Sequence, residues 1–248
     1  MALKDLEPYI PPPLPLKNLD SSKLLAPLDA AREALAHFEP PSPKQTLLHK
    51  EALASFGPHK KQERPVKSDQ HIRQLCAGYT FAATWAKTKQ LNAPFFLGLK
   101  KIIKNDTDGF RKIQGWIGPA GHPIEAAYYL PPPPQKVPAL MQNLSCYLAN
   151  TKEEPLTQLA ISFAQLLLIH PFLDGNGRVA RALIPTFLWK RKLIAQPFFF
   201  MSAYFEKNRL AYFRKLYDIS NDNAWEEWII FFLEGIHFSS TKGTRSRE

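Results

Sequence analysis

Residues 170–181 read His170-Pro171-Phe172-Leu173-Asp174-Gly175-Asn176-Gly177-Arg178-Val179-Ala180-Arg181, which brings a base, a carboxylate, two glycines and two arginines into twelve positions. Residues of these types handle phosphate. A histidine beside a glycine-rich turn can take the proton of a hydroxyl as it attacks phosphorus. Asp174 offers a hard oxygen of the kind that holds Mg²⁺ when only one or two protein carboxylates are used. Gly175, Asn176 and Gly177 expose backbone N–H groups with little side-chain obstruction at the dipole-positive start of a following helix, which makes an anion site. Asn176 adds an amide to orient a phosphate or ribose oxygen. Arg178 and Arg181, three apart on that helix, share a face and present planar donor forks to the outer phosphates.

The flanking sequence supplies elements to position them. The run Leu159 to Ile169 has helical length and apolar composition, and Pro171 disfavours αR geometry at His170, so a helix ends there. Asp174-Gly175-Asn176-Gly177 turns the chain into the next helix. Upstream, Tyr9 to Pro15 reads as an extended arm laid on the body. Helices are expected over Lys23 to Phe38, capped by Asp20-Ser21-Ser22, over Thr46 to Phe56, Asp69 to Gln90 and Pro94 to Ile103. Gly109 to Gly118 reads as a strand, turning at Pro119 to His122 and returning through Ala126 to Tyr129, a hairpin in an otherwise helical chain. Pro131 to Pro134 stiffen its exit. Helices then cover Val137 to Asn150, Tyr204 to Tyr217 and Trp225 to Ile236, and the tail from Ser239 is expected to be disordered.

At 248 residues, 45% of them hydrophobic, the chain can bury a large core as one folded unit. Cys76 and Cys146 lack metal-ligand spacing and read as inert core thiols in a reducing compartment. Met1 to Pro8 has no apolar signal region, and no run nears the roughly 20 apolar residues that span a bilayer. A cytoplasmic protein is expected, with export as an effector left open. The formal charge of +10 sits in clusters at His59-Lys60-Lys61, Lys100-Lys101 with Lys104, Lys190-Arg191-Lys192 and the tail from Lys242. They are scattered and not interleaved with aromatics, which favours solvated surface over a nucleic-acid face, although lysines near a nucleotide could serve it electrostatically.

The stretch from His170 to Arg181 resembles the signature of the Fic family, His-x-Phe-x-(Asp/Glu)-Gly-Asn-Gly-Arg-x-x-Arg, at every specified position. The segments Gln114 to Gly118 and Tyr128 to Pro134 resemble the family's target-binding flap, and Trp228 to Ile236 its closing helix. The resemblance implies an all-α helical bundle with a small β-hairpin flap over the active site. It divides the chain into an N-terminal arm and helices at 1–66, a catalytic core at 67–238 and a tail at 239–248. It also implies transfer of AMP from ATP to a Ser, Thr or Tyr hydroxyl of a target protein, with release of pyrophosphate. His170 would be the base and Asp174 would hold Mg²⁺. Gly175, Asn176, Gly177, Arg178 and Arg181 would hold the nucleotide, with Phe172 anchoring their loop. Tyr204 and Asn208 would approach the adenine and ribose, and Gln114, Trp116, Ile117 and Gly118 would register the target as an added strand. Family analogy suggests a homodimer. Phosphoryl transfer, UMP transfer and a non-catalytic binding role are the alternatives.

The sequence departs from this type of Fic protein at one place. An inhibitory helix of the form Ser/Thr-x-x-x-Glu-Gly/Asn carries a glutamate that pairs with the second motif arginine, whereas four positions after Ser55 stands His59, and Gly57-Pro58 would end the helix early. The expectation is an enzyme whose Arg181 lacks that partner, with Glu51 and Glu63 as the nearest substitutes.

Overall fold

The computed structural model describes residues 7–40, 48, 50, 51, 65–119, 121–150 and 152–244. Among them the named helices are α1 (Leu25–Ala36), α2 (Pro65–Ala86), α3 (Ala93–Lys104), α4 (Val137–Ala149), α5 (Pro155–Ile169), α6 (Asn176–Lys190), α7 (Ser202–Lys207), α8 (Arg209–Asp222) and α9 (Trp225–Thr244). The centre is α5. Every residue from Leu156 to Ile169 is buried, as expected of a helix that is apolar all round. Its start is fixed by Glu154, whose carboxylate accepts the Thr157 N–H at 2.6 Å, and by Pro155 at the first position.

Helix α6 packs beside α5 and against α2 and α3, α4 covers another side of α5, and α9 packs on α5 with α8 and α1 outside it. Trp228 of α9 is fully buried and donates its indole N–H to the Ala160 carbonyl at 2.9 Å. The N-terminal arm is docked by Asn143, which bonds both backbone groups of Leu14, and by Gln165, which donates to the Pro12 carbonyl. Leu14, Leu24, Leu28, Ala31 and Leu35 belong to the same apolar core as α5 and α6. The expected boundary near residue 66 therefore does not separate the packing into two cores. No described helix is long and apolar enough to cross a membrane.

Several expectations are corrected. The hairpin reduces to one bridge pair, Ile117 with Tyr129. Pro119 and Pro123 offer no N–H for a ladder, and the return arm coils into a 3₁₀ turn at Ile124–Ala126. Gly118 meets the other arm too closely for a longer side chain, since a Cβ there would lie 3.0 Å from the Ala126 carbonyl oxygen. The helix expected over Tyr204 to Tyr217 breaks at Asn208, which ends α7 and begins α8. Helix α9 runs on to Thr244, where a disordered tail was expected from Ser239. The Ser240 and Thr241 hydroxyls fold back onto the carbonyls of Ile236 and His237, so these polar residues sit in the helix without competing donors. Cys76 is half-buried and Cys146 exposed, so neither is a core thiol. Part of the basic charge is tied into the fold: Lys100 is buried against Asp106, and the half-buried Lys190 and Arg191 bond the carbonyls of Ala86 and Lys89 and the Asn150 carbonyl and Gln158 side chain.

Candidate active site

The motif lies where the C-terminus of α5 meets the N-terminus of α6. Helix α5 ends at His170, whose φ of 48° and ψ of 59° are left-handed, while its N–H still closes the last turn on Leu166 at 3.1 Å. A non-glycine residue in this region carries strain of about 1–3 kcal/mol, which surrounding contacts must hold. The His170 Nδ1 lies 3.2 Å from the Leu167 carbonyl. A carbonyl can only accept, so Nδ1 carries the proton in the neutral ring and Nε2 keeps its lone pair. Burial lowers the imidazole from 6.5 to about 4; Arg111 adds to the lowering, and the Leu167 bond and Asp174 oppose it. The ring is thus neutral over the whole physiological range.

From His170 the chain dips inward. Phe172 is buried against Phe110, and its backbone N–H and carbonyl are both bonded by the Asn176 side chain, at 3.0 and 2.7 Å. The Asn176 amide, expected to orient a ligand oxygen, is therefore spent inside the protein, clamping the loop. Gly175 has a φ of 92°, and a Cβ there would lie 3.0 Å from Lys104 Cγ, so both backbone freedom and close approach demand glycine. A Cβ at Gly177 would lie 3.2 Å from a terminal nitrogen of Arg181, which folds back along α6 toward the loop, so a side chain there would press on that guanidinium.

Asp174 is bonded by Lys104 of α3, by Arg178 at 3.2 Å and by the Gly175 N–H at 2.6 Å. Burial would raise its carboxyl, but Lys104, Arg178 and Gly175 outweigh that and lower it to about 2. Its side chain remains 60% exposed. Sequence spacing did not single out Lys104 as a partner of Asp174.

Arg181 departs from expectation. Ser55 to His59 lie outside the described residues, as does Glu63, but Glu51 is described and is only 5% exposed. Its carboxylate accepts hydrogen bonds from the Tyr79 hydroxyl at 2.9 Å and the Ser202 hydroxyl at 2.6 Å. Burial raises the Glu51 carboxyl against the opposing pull of Ser202, the Arg181 charge and Tyr79. Arg181 also bonds the buried Tyr212 hydroxyl, whose own burial holds it up at about 12. Arg181 is thus engaged from two sides, by Tyr212 and by Glu51, one of the two substitutes the sequence offers.

Tyr204 and Asn208 lie in the α7–α8 layer. Tyr204 is buried among Phe205, Phe231 and Phe238 and donates to the Phe231 carbonyl at 3.1 Å, and Asn208 donates to the Tyr204 carbonyl. From this layer it is Tyr212 and Ser202 that reach the motif and its neighbour Glu51. At the lip, Gln114 bonds the carbonyls of Gly115 and Pro131, Ile117 carries the bridge, Gly118 packs on the return arm, and Trp116 is exposed beside exposed Ile113 and Tyr128. No cluster of three or more metal-ligating side chains occurs among the described residues.

Residues 90–188 match the model described as the Fic/DOC family. A protein adenylyltransferase Fic of Drosophila willistoni is 29% identical over 111 residues, covering 41% of this chain and 22% of that protein. A probable protein adenylyltransferase of Aquifex aeolicus is 40% identical over 72 residues, covering 29% of this chain and 22% of that protein. The chain thus spans about a fifth of the length of these curated relatives. A crystal structure of a Fic family protein from Desulfovibrio desulfuricans has a TM-score of 0.76 at 18% identity over 96% of this chain and 77% of that one, which shows a common fold.

Proposed function

Since the chain is a Fic family protein whose motif is intact from His170 to Arg181, we propose that it transfers AMP from ATP to a Ser, Thr or Tyr hydroxyl of a target protein, releasing pyrophosphate. The observation that carries this reading is a neutral histidine fixed at a helix end, directly before a helix N-terminus flanked by two arginines. His170 would accept the proton of the attacking hydroxyl at Nε2, the position left open by the Leu167 contact. The N–H groups opening α6 would hold phosphate oxygens, and Arg178 and Arg181 the outer phosphates.

Asp174 is the carboxylate at the loop, exposed and ionised, and one hard oxygen completed by nucleotide phosphates suits Mg²⁺. When bound there, the metal would screen phosphate charge. Lys104 and Arg178 would then exchange Asp174 for the nucleotide. The lip at Gln114 to Gly118, with exposed Ile113, Trp116 and Tyr128, would lay the target segment alongside it as an added strand.

Intact-mass spectrometry of the full chain with Mg-ATP and candidate targets, beside a His170→Ala control, tests the reading. The mass of AMP should appear with wild type and be lost with the variant. The mass of phosphate alone would replace this reading with phosphoryl transfer, and no addition from any nucleotide would overturn both.

A further inference from the structure

The last carbonyls of α5 are capped in an orderly way. Leu166 accepts the His170 N–H at 3.1 Å, Leu167 faces the His170 ring, and Leu168 accepts the Tyr129 hydroxyl at 2.6 Å. The next carbonyls belong to one residue. Arg111 donates from Nε to the His170 carbonyl at 2.9 Å, from Nη2 to the Ile169 carbonyl at 3.4 Å, and from its own backbone N–H to the Pro171 carbonyl at 2.9 Å. The same guanidinium bonds both arms of the lip, through the Ile113 carbonyl at 3.3 Å and the Pro132 carbonyl.

Arg111 is 5% exposed, and no carboxylate appears among these bonds. A buried cation without an ion-pair partner is costly in general, and here it is held by carbonyl dipoles and by the negative end of α5. A lysine could bring the charge but not a planar fork that meets several carbonyls at once.

We infer that Arg111 is a positioning residue for His170, joining the carbonyl that fixes the left-handed turn to the carbonyls of Ile113 and Pro132, so that one side chain sets both the histidine and the lip above it. This extends the transfer reading given above, since it takes His170 to be the base. The charge of Arg111 also opposes protonation of the ring, while Asp174 and the Leu167 carbonyl favour it.

The test compares Arg111→Lys with Arg191→Lys in the full chain. The second variant makes the same exchange at a guanidinium that bonds the Asn150 carbonyl and the Gln158 side chain near the start of α5, whereas His170 stands at its end. Arg111→Lys should lower kcat for AMP transfer roughly 100-fold, the scale of a small misplacement of a reacting group. KM for ATP should stay within about threefold, because the phosphate-binding residues are untouched. Long-range ¹⁵N–¹H spectra should show the His170 ring passing from one neutral tautomer in wild type to a mixture in this variant. Arg191→Lys should lower Tm but leave tautomer and kcat unchanged. Equal loss of kcat in both variants at matched Tm, or an unaltered tautomer and rate in Arg111→Lys, would overturn the inference.

A further arm needs no variant and covers the case in which Arg111→Lys fails to fold. In wild type the Arg111 Nε–H resonance should shift with the same midpoint as the His170 ring, and a resonance indifferent to that titration would count against the coupling. Should the protein transfer nothing, the transfer reading falls while the two spectroscopic arms still decide the role of Arg111.

Discussion

His170 holds two conditions that pull against each other in a free imidazole, a lone pair available at neutral pH and a fixed direction for it. Burial supplies the first by lowering the ring to about 4, and the Leu167 carbonyl supplies the second by claiming Nδ1. The native state therefore binds this proton less tightly than the unfolded chain, whose imidazole titrates near 6.5. Stability from His170 is complete above the unfolded value and is lost as pH falls from there toward about 4. Kinetics follow the same group. The acid limb of kcat/KM for the free enzyme should fall near pH 4, and a limb at the ordinary imidazole value would mean that the ring is solvated in the working enzyme.

Helix α6 begins where it does because Asn176 ties the loop to itself. Both backbone groups of Phe172 depend on that one side chain, and all of them are buried. Asn176→Ala should cost about 1–3 kcal/mol for each polar group left unsatisfied. Urea unfolding should record that loss with an unchanged m-value, and a cost below about 0.5 kcal/mol would mean that the loop is held elsewhere. The end of α5 was legible in the sequence because Pro171 marks it, whereas its start at Pro155 precedes the apolar run that announced the helix, and α3 starts one residue before Pro94 under the Asn92 cap, whose side chain accepts the Phe95 N–H at 3.3 Å. What the sequence concealed depends on distant partners. Pro119 and Pro123 bear on the short ladder at Ile117 only once the pairing with Tyr129 is known, and nothing near Asn208 marks the break between α7 and α8. Arg111 lies 59 positions from His170, so the spacing that exposed the motif could not include it.

Across the whole molecule, one acidic side chain connects parts that the sequence suggests are separable. Glu51, from the segment before α2, is bonded by Tyr79 of α2 and Ser202 of α7 and faces Arg181 of α6. Its carboxyl is raised by burial, so the native state holds its proton more tightly than the unfolded chain does. Stability from this group is full below the ordinary glutamate value and is lost as pH rises through the raised one. Over a series from about pH 5 to about pH 8, wild type should lose stability relative to Glu51→Gln, measured as the difference in urea midpoints. A difference that stays constant or grows in the other direction would mean that the Arg181 charge outweighs desolvation. The same packing bears on how the N-terminal part should be probed. Leu28 and Leu35 share the core of α5, so deleting residues 1–66 would strip apolar cover from α5 and its neighbours, and a point change at Glu51 is the cleaner experiment.

The loop around Asp174 already carries its own counter-charges, Lys104 from α3 and Arg178 from α6. Those two side chains hold the carboxylate from either side. A nucleotide arriving with its metal would trade places with cations already in position, and each one displaced would be released beside a phosphate that needs it. Substrate capture would then work as an exchange of partners, with the cations that hold the resting loop becoming the ones that receive the triphosphate.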